Sequence, residues 1–274
     1  MTVRSRGALA ITIAALLFLY VPLVVVVLFS FHNTGSLSLP FTGFSLRWYR
    51  FVLSDPGFRS ALENSLFVAA WTSAVTLVLG TLASFGLART RSRLRGPLAL
   101  LFFLPITLPG LFIGLAMLVF FVRTNLNLSL TTVIIAHCVY VFPYFLLIAI
   151  AALERLDPAL EEAAADLGAN GWLRFWRVTM PQIWPLLAGA TCLAFALSFD
   201  EFVITFFVIG PDGTLPLYIW SQLRRTVDPS INVVSTLLMT VTLVLWLAAF
   251  LFALRAARRR AASGDELVAE VVPL

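Results

Sequence analysis

Apolar residues in this chain are gathered into long blocks, without the short alternations that mark half-buried strands. Stretches free of charged residues cover 7–46, 64–88, 96–122, 124–153, 178–199 and 229–254. Each can supply the roughly 20 apolar residues that carry a helix across the hydrocarbon of a bilayer. Backbone polar groups in lipid must be satisfied internally, which long uniform blocks achieve as helices; barrel strands are short and alternating. The pattern predicts an all-α membrane protein with six transmembrane helices, at about 9–31, 62–88, 98–122, 131–152, 185–209 and 233–256. They form one transmembrane domain over 1–260, with a short polar tail over 261–274.

Charge sets the orientation. All 19 basic residues are arginine. With the N-terminus inside, 13 of them fall in cytoplasmic segments: Arg4, Arg6, Arg89, Arg91, Arg93, Arg95, Arg155, Arg174, Arg177, Arg255, Arg258, Arg259 and Arg260. The other six, Arg47, Arg50, Arg59, Arg123, Arg224 and Arg225, fall outside. The positive-inside rule then places both termini in the cytoplasm. The net charge of +5 reflects topology, and no arginine cluster on a soluble domain points to nucleic acid. Hydrophobic residues make up 60% of the chain, outside the range of soluble domains. The apolar start after Arg6 is too long for a signal-peptide core and lacks a small-residue cleavage site, so it reads as the first span. Cys138 and Cys192 lie alone inside predicted spans and read as packing residues, with no metal-ligand spacing.

Between the first two spans, SLRWYRFVLSDPGF mixes Trp48, Tyr49 and Phe51 with Arg47 and Arg50, a composition suited to a short helix in the outer interface. The third span opens with LPITLPG, so Pro105, Pro109 and Gly110 predict a kink or local unwinding, and Pro143 predicts the same in the fourth.

The most polar interruption lies at 153–184. Asp157 followed by Pro158 starts a helix, with Glu161 and Glu162 in its first turns. Leu156, Leu160, Ala163, Ala164 and Leu167 form an apolar face, and Gly168 ends the helix in a left-handed conformation. Asn170 caps a second helix on which Trp172, Phe175 and Trp176 share a face. Pro181 and Pro185 mark the entry to the fifth span. Such a stiff amphipathic pair suits insertion into a groove of a soluble partner; the alternative is a loop folded back on its own bundle.

In the same segment the string EAAADLGANGWLRFWRVTMP carries Glu-Ala-Ala, three residues, Gly168, nine residues, then Val-Thr-Met-Pro. It resembles the cytoplasmic EAA loop of inner-membrane permeases of binding-protein-dependent ABC importers. The stretch from Ser198 and the RWYRFVLSD segment extend the similarity through most of the chain, toward the second permease subunit of spermidine/putrescine importers. The resemblance implies a type I importer (MetI-like) permease fold in a bacterial inner membrane. It also implies a second homologous permease, two copies of an ABC ATPase that carry ATP and Mg, and an extracytoplasmic binding protein. By the same resemblance Glu162, Ala163, Gly168 and Pro181 fall on the motif that seats in the ATPase, with Asp166 and Ala169 beside them. This chain is expected to be no enzyme and to hold no cofactor or metal: it has no lysine and no G-x-x-x-x-G-K-[ST] phosphate loop.

The fifth span contains Asp200 and Glu201. On a continuous helix from Leu186, Asp200 lies roughly 21 Å along the axis, past the midplane. A carboxylate there costs about 2.5–3.5 kcal/mol, which makes it a functional-site candidate by default. Adjacent helical residues point about 100° apart, so one can face a central path while its neighbour meets another helix or subunit. An acidic path with aromatic walls suits polyamines, and Tyr218 and Trp220 are candidates for such walls, although as interface-belt aromatics they read first as structural. The loop over 210–230, with its PDGT turn, is a candidate docking surface for the binding protein. The same class of importer carries other small solutes. A proton-coupled secondary transporter using Asp200 or Glu201 is a rival, and a membrane enzyme is a weaker one, since His32 and His137 lie far apart with no catalytic motif.

Overall fold

A computed structural model of the chain describes residues 3–35, 41, 43–90, 92–225, 228–244, 247 and 251. Helices dominate and no strand is formed among the described residues. In chain order they are α1 (Val3–Ser30), α2 (Arg47–Ser54), α3 (Pro56–Arg89), α4 (Arg95–Thr107), α5 (Gly110–Arg123) and α6 (Leu130–Glu154). Then come α7 (Pro158–Asp166), α8 (Gly171–Arg174), a π-helical turn (Phe175–Thr179), α9 (Met180–Phe199), α10 (Val203–Val208) and α11 (Leu215–Arg225). A further apolar helix, α12, spans Pro229–Val244. The chain divides into two compact units. One takes in the described residues of Met1–Leu62 and Leu215–Val241, the other those of Glu63–Thr214 and Thr242–Leu274.

In the first unit α1 is apolar from Gly7 onward, and its residues 7–25 are exposed. Its end is tied to α2, the short helix expected from the aromatic and arginine residues. The Tyr49 hydroxyl and Ser30 Oγ lie 2.8 Å apart, and Trp48 Nε1 donates to the Thr34 carbonyl at 3.3 Å. The Arg47 guanidinium stacks over Trp48 at 5.3 Å.

The second unit is built on α6 and α9. Phe145, Ala149, Ala152, Ile183, Leu187 and Ala190 form its inner core, with Leu77 and Phe85 of α3 packed against it. Water exclusion does not drive helices together inside a bilayer, so close fit does the work. Gly80 shows the fit: a Cβ there would come within 2.4 Å of the Phe145 ring. A second cluster joins Ile113 and Phe121 of α5, Val133 and Ala136 of α6, and Ile204 and Val208 of α10.

Among the described residues four helices are long and apolar enough to cross a membrane: Gly7–Ser30, Pro56–Arg89, Leu130–Glu154 and Gly171–Phe199. The pair α4 and α5 makes a fifth if it is one bent span. The bend is 109°, and it falls at Leu108–Pro109, where proline removes a backbone donor as the sequence predicts. The multi-pass membrane character is therefore established. The expected helix at 233–256 begins within α12, and its later part, like the 261–274 tail and Arg255, Arg258, Arg259 and Arg260, lies outside the described residues.

Three local expectations change. Pro143 sits inside an α6 that runs from Leu130 to Glu154 as one α-helix, so of the kink or unwinding expected there the unwinding does not occur. Pro181 stands in the first turn of α9, as expected at the entry to the span, but the chain before it is already helical, and α8, the π turn and α9 run on as one segment, Gly171–Phe199. Pro181 has no N–H to offer four residues back, and just before it the Met180 N–H reaches five residues back to the Phe175 carbonyl. The fifth span is not a single helix to residue 209: it breaks at Asp200, and α10 restarts at Val203.

Candidate functional site

The 153–184 segment folds as its local signals require. Asp157 Oδ1 accepts from the Ala159 N–H at 2.9 Å, with Pro158 at the first helical position, and α7 follows. Gly168 has φ +83°, the left-handed value that stops a helix. Asn170 Oδ1 then accepts from the Leu173 N–H at 2.8 Å and starts α8. Trp172 and Trp176 pack at 5.6 Å, and Phe175 and Trp176 at 5.1 Å, so the expected aromatic face exists.

What the segment shows to water matters more. Glu162, Ala163, Asp166, Gly168 and Pro181 are exposed, and Ala169 is half-buried. Leu167 is 89% exposed and Trp172 72%. The short helix pair thus leaves large apolar side chains uncovered beside an exposed carboxylate, a combination common at surfaces that meet another molecule.

Glu161, one residue before Glu162, points the other way. Its Oε1 accepts from Arg89 Nη2 at 2.5 Å and from Thr179 Oγ1 at 2.6 Å. Arg89 closes α3 and Thr179 closes the π turn, so one carboxylate oxygen joins three elements. Arg89 also lies over the Phe85 ring at 5.3 Å, and Phe85 meets Phe175 edge-on at 4.9 Å. Sequence reading placed Glu161 only as a favourable first-turn charge; its partners are 72 and 18 residues away, beyond any local pattern.

The acid pair sits in the break between α9 and α10. Asp200 ends α9 and is exposed. Glu201 is half-buried, and its Oε1 accepts from the Ile204 N–H at 2.8 Å, capping the restart of the chain as α10. The expected 100° separation on a continuous helix does not apply, because neither residue lies within one. Tyr140 of α6 is within electrostatic reach of both carboxylates and packs on Tyr144 at 5.6 Å.

His137 bridges the break from α6. Nδ1 lies 2.8 Å from Ser198 Oγ, just before it, and Nε2 lies 2.8 Å from Thr205 Oγ1, just after. Thr205 donates its one hydroxyl proton to the Glu201 carbonyl at 2.9 Å. In the neutral ring, Nε2 therefore carries the proton and Nδ1 accepts from Ser198. An i, i+61 pairing of this kind has no sequence signature. No group of three or more His, Cys, Asp or Glu residues able to hold a metal occurs among the described residues.

Tyr218 and Trp220 lie on α11, in the first unit, while the acid pair belongs to the second. The Tyr218 hydroxyl donates to Asp55 Oδ2, and its ring meets Phe58 at 6.0 Å. Burial first, and the Asp55 hydrogen bond second, push the Tyr218 phenol up to about 12. Arg224 lies over Trp220 at 4.8 Å. The 210–230 segment, expected as a loop, therefore contains a helix.

A family match begins within α3 and takes in both the exposed loop and the acid pair. Residues 76–262 match the family of binding-protein-dependent transport system inner membrane components. The chain belongs to that family. It is 34% identical to the putrescine transport system permease protein PotI of Escherichia coli (strain K12), over 94% of this chain and 94% of that protein. It is 28% identical to the spermidine/putrescine transport system permease protein PotC of the same strain, over 90% and 93% of the two chains. Among solved structures, a chain of a bacterial ABC transporter that imports the acidic polysaccharide alginate superposes with a TM-score of 0.73 at 17% identity, covering 91% of this chain and 94% of that one. A chain of the MetNI methionine ABC transporter does so at 0.62 and 18%, covering 73% and 95%. These two show the permease fold. The chain is thus an ABC importer permease, a class that works with a substrate-binding protein and a separate ATPase.

Proposed function

We propose that this permease moves polyamines, putrescine or spermidine, into the cytoplasm by ATP-driven alternating access. It crosses an inner membrane six times as one domain, with both termini cytoplasmic. It pairs with a second, related permease, two ATPase subunits that bind ATP and Mg, and an extracytoplasmic binding protein. The observation that carries the reading is the uncovered aromatic and acidic surface of α7 and α8, on a chain 34% identical to a putrescine permease. In this account Glu162, Ala163, Asp166, Gly168, Ala169 and Pro181 form the ATPase seat. Binding and release of ATP shift the seat and tilt the spans between inward-open and outward-open forms.

The substrate side of the reading rests on charge. Polyamines are elongated polycations with alkyl spacers. Asp200, exposed and within electrostatic reach of the half-buried Tyr140, offers them a carboxylate near an aromatic face. Glu201 shares the site with its oxygen turned to the backbone. Tyr218 and Trp220 support the outer segment through their ties to Asp55 and Arg224, and an added role as walls of the path follows only if solute contacts them. Uptake of labelled putrescine into proteoliposomes holding the full complex tests the reading: it should need internal ATP and the binding protein. Uptake that ignores ATP and follows a proton gradient would overturn it in favour of a secondary transporter. ATP-driven uptake of another solute, with putrescine excluded, would retain the mechanism and replace the cargo.

A further inference from the structure

The seat on α7 is useful to transport only if its motion reaches the membrane helices. A short helix held by two flexible turns transmits little unless something ties it to its neighbours. We propose that Glu161 is that tie: a positioning residue that links the ATPase seat to α3 and α9 and converts loop displacement into helix tilt. The inference rests on the reading that α7 docks on the ATPase.

Three features of the site support it. First, one carboxylate oxygen receives both Arg89 Nη2 and Thr179 Oγ1, at 2.5 and 2.6 Å, so Glu161 sits at a junction and not in a simple pair. Second, Thr179 is fully buried, at the point where the π turn feeds into α9. A π turn holds its backbone bonds in looser register than an α-helix, so a side-chain anchor there fixes where α9 begins. Third, the ion pair is backed by a stack: Arg89 on Phe85, Phe85 on Phe175, Phe175 on Trp172 and Trp176. The end of α3 is thereby tied to the loop by charge on one side and by rings on the other. Glu162 stands on the exposed side of α7, so the two neighbouring glutamates divide the work: the outer one meets the partner, and the inner one carries the load.

An exposed ion pair adds little stability on its own, and the Arg89 side chain is 57% exposed. The expected signature is therefore loss of coupling without loss of the complex. The test uses the full assembly in proteoliposomes, with co-purified ATPase, ATP turnover and labelled putrescine import measured together. In Glu161→Ala the ATPase should co-purify and turn over as in the parent, while putrescine moved per ATP falls by about fivefold or more. Arg89→Glu should lose coupling likewise, and the charge exchange Arg89→Glu with Glu161→Arg should recover much of it. Thr179→Val, which removes one bond and keeps the pair, should show a smaller loss. The inference is overturned if Glu161→Ala leaves putrescine per ATP at the parent value. It is also overturned if the charge exchange is no better than Arg89→Glu alone, or if Glu161→Ala sheds the ATPase. A parent complex that binds no ATPase would instead sink the docking reading, and that result is read before any variant is made.

Discussion

Among the described residues two adjacent acidic pairs, Glu161–Glu162 on the 153–184 loop and Asp200–Glu201 in the break after α9, are arranged alike. In each, one carboxylate is held by the chain itself: Glu161 by Arg89 and Thr179, Glu201 by the Ile204 N–H. The other, Glu162 or Asp200, is exposed. The difference lies in what the held member stabilises. Glu161 links three separate elements through side chains, whereas Glu201 caps a restart of its own helix three residues on. In the proposed account the first pair passes on force and the second offers a carboxylate to the solute. The lesson is that two neighbouring carboxylates need not share a role: backbone geometry assigns one inward and leaves one for a ligand or partner.

The largest expected effect breaks the loop. Glu162→Lys reverses the exposed charge, and Gly168→Pro forbids the φ of +83°. Either should bring putrescine uptake to background and strip the ATPase from the purified complex; ATPase recovered at parental levels would contradict the docking role of that pair. Next comes the span pair. Asp200→Asn should lower uptake by about tenfold, the loss of roughly 1.4 kcal/mol of attraction for a cation, while the complex still assembles. Glu201→Gln keeps an oxygen for the Ile204 N–H and should cost less. A larger loss from Glu201→Gln than from Asp200→Asn would invert the assignment.

Smaller effects test the scaffolds behind each pair. His137→Phe removes both hydrogen bonds that brace the break and should lower stability by about 1–2 kcal/mol, with Ser198→Ala giving a fraction of that. Thermal unfolding in detergent measures both, and equal stability of parent and His137→Phe would remove the brace. In the other unit, the raised pKa of Tyr218 makes a small alkaline-sensitive contribution. A phenol lifted to about 12 from its ordinary value of 10 stabilises the fold fully below about pH 10 and loses that effect as pH rises through 12. Tyr218→Phe should therefore lower stability near neutral pH by about 1 kcal/mol or less and remove this alkaline component. An unchanged alkaline profile would show that another group titrates.

Much of this was legible in the sequence because it is local. Asp157 and Pro158, Gly168 and Asn170 each act within four residues, and each does in the structure what its chemistry requires. The 109° break at Pro109 was legible for the same reason. Proline and hydropathy failed where context decides. Pro143 is absorbed by a well-packed α6, and Pro181 follows a π turn without ending a helix. The break at Asp200 has no proline or glycine to mark it, and the two carboxylates there read equally as a site on a continuous helix. Glu161 and His137 gain their meaning from residues far along the chain, and no spacing rule reaches them.

The central claim is that the exposed face of α7 and α8 seats on the ATPase. A photo-crosslinking residue placed at Trp172 in the full complex tests it most directly. Illumination should join this chain to the ATPase in high yield, and adducts confined to the chain itself or to the partner permease would contradict it.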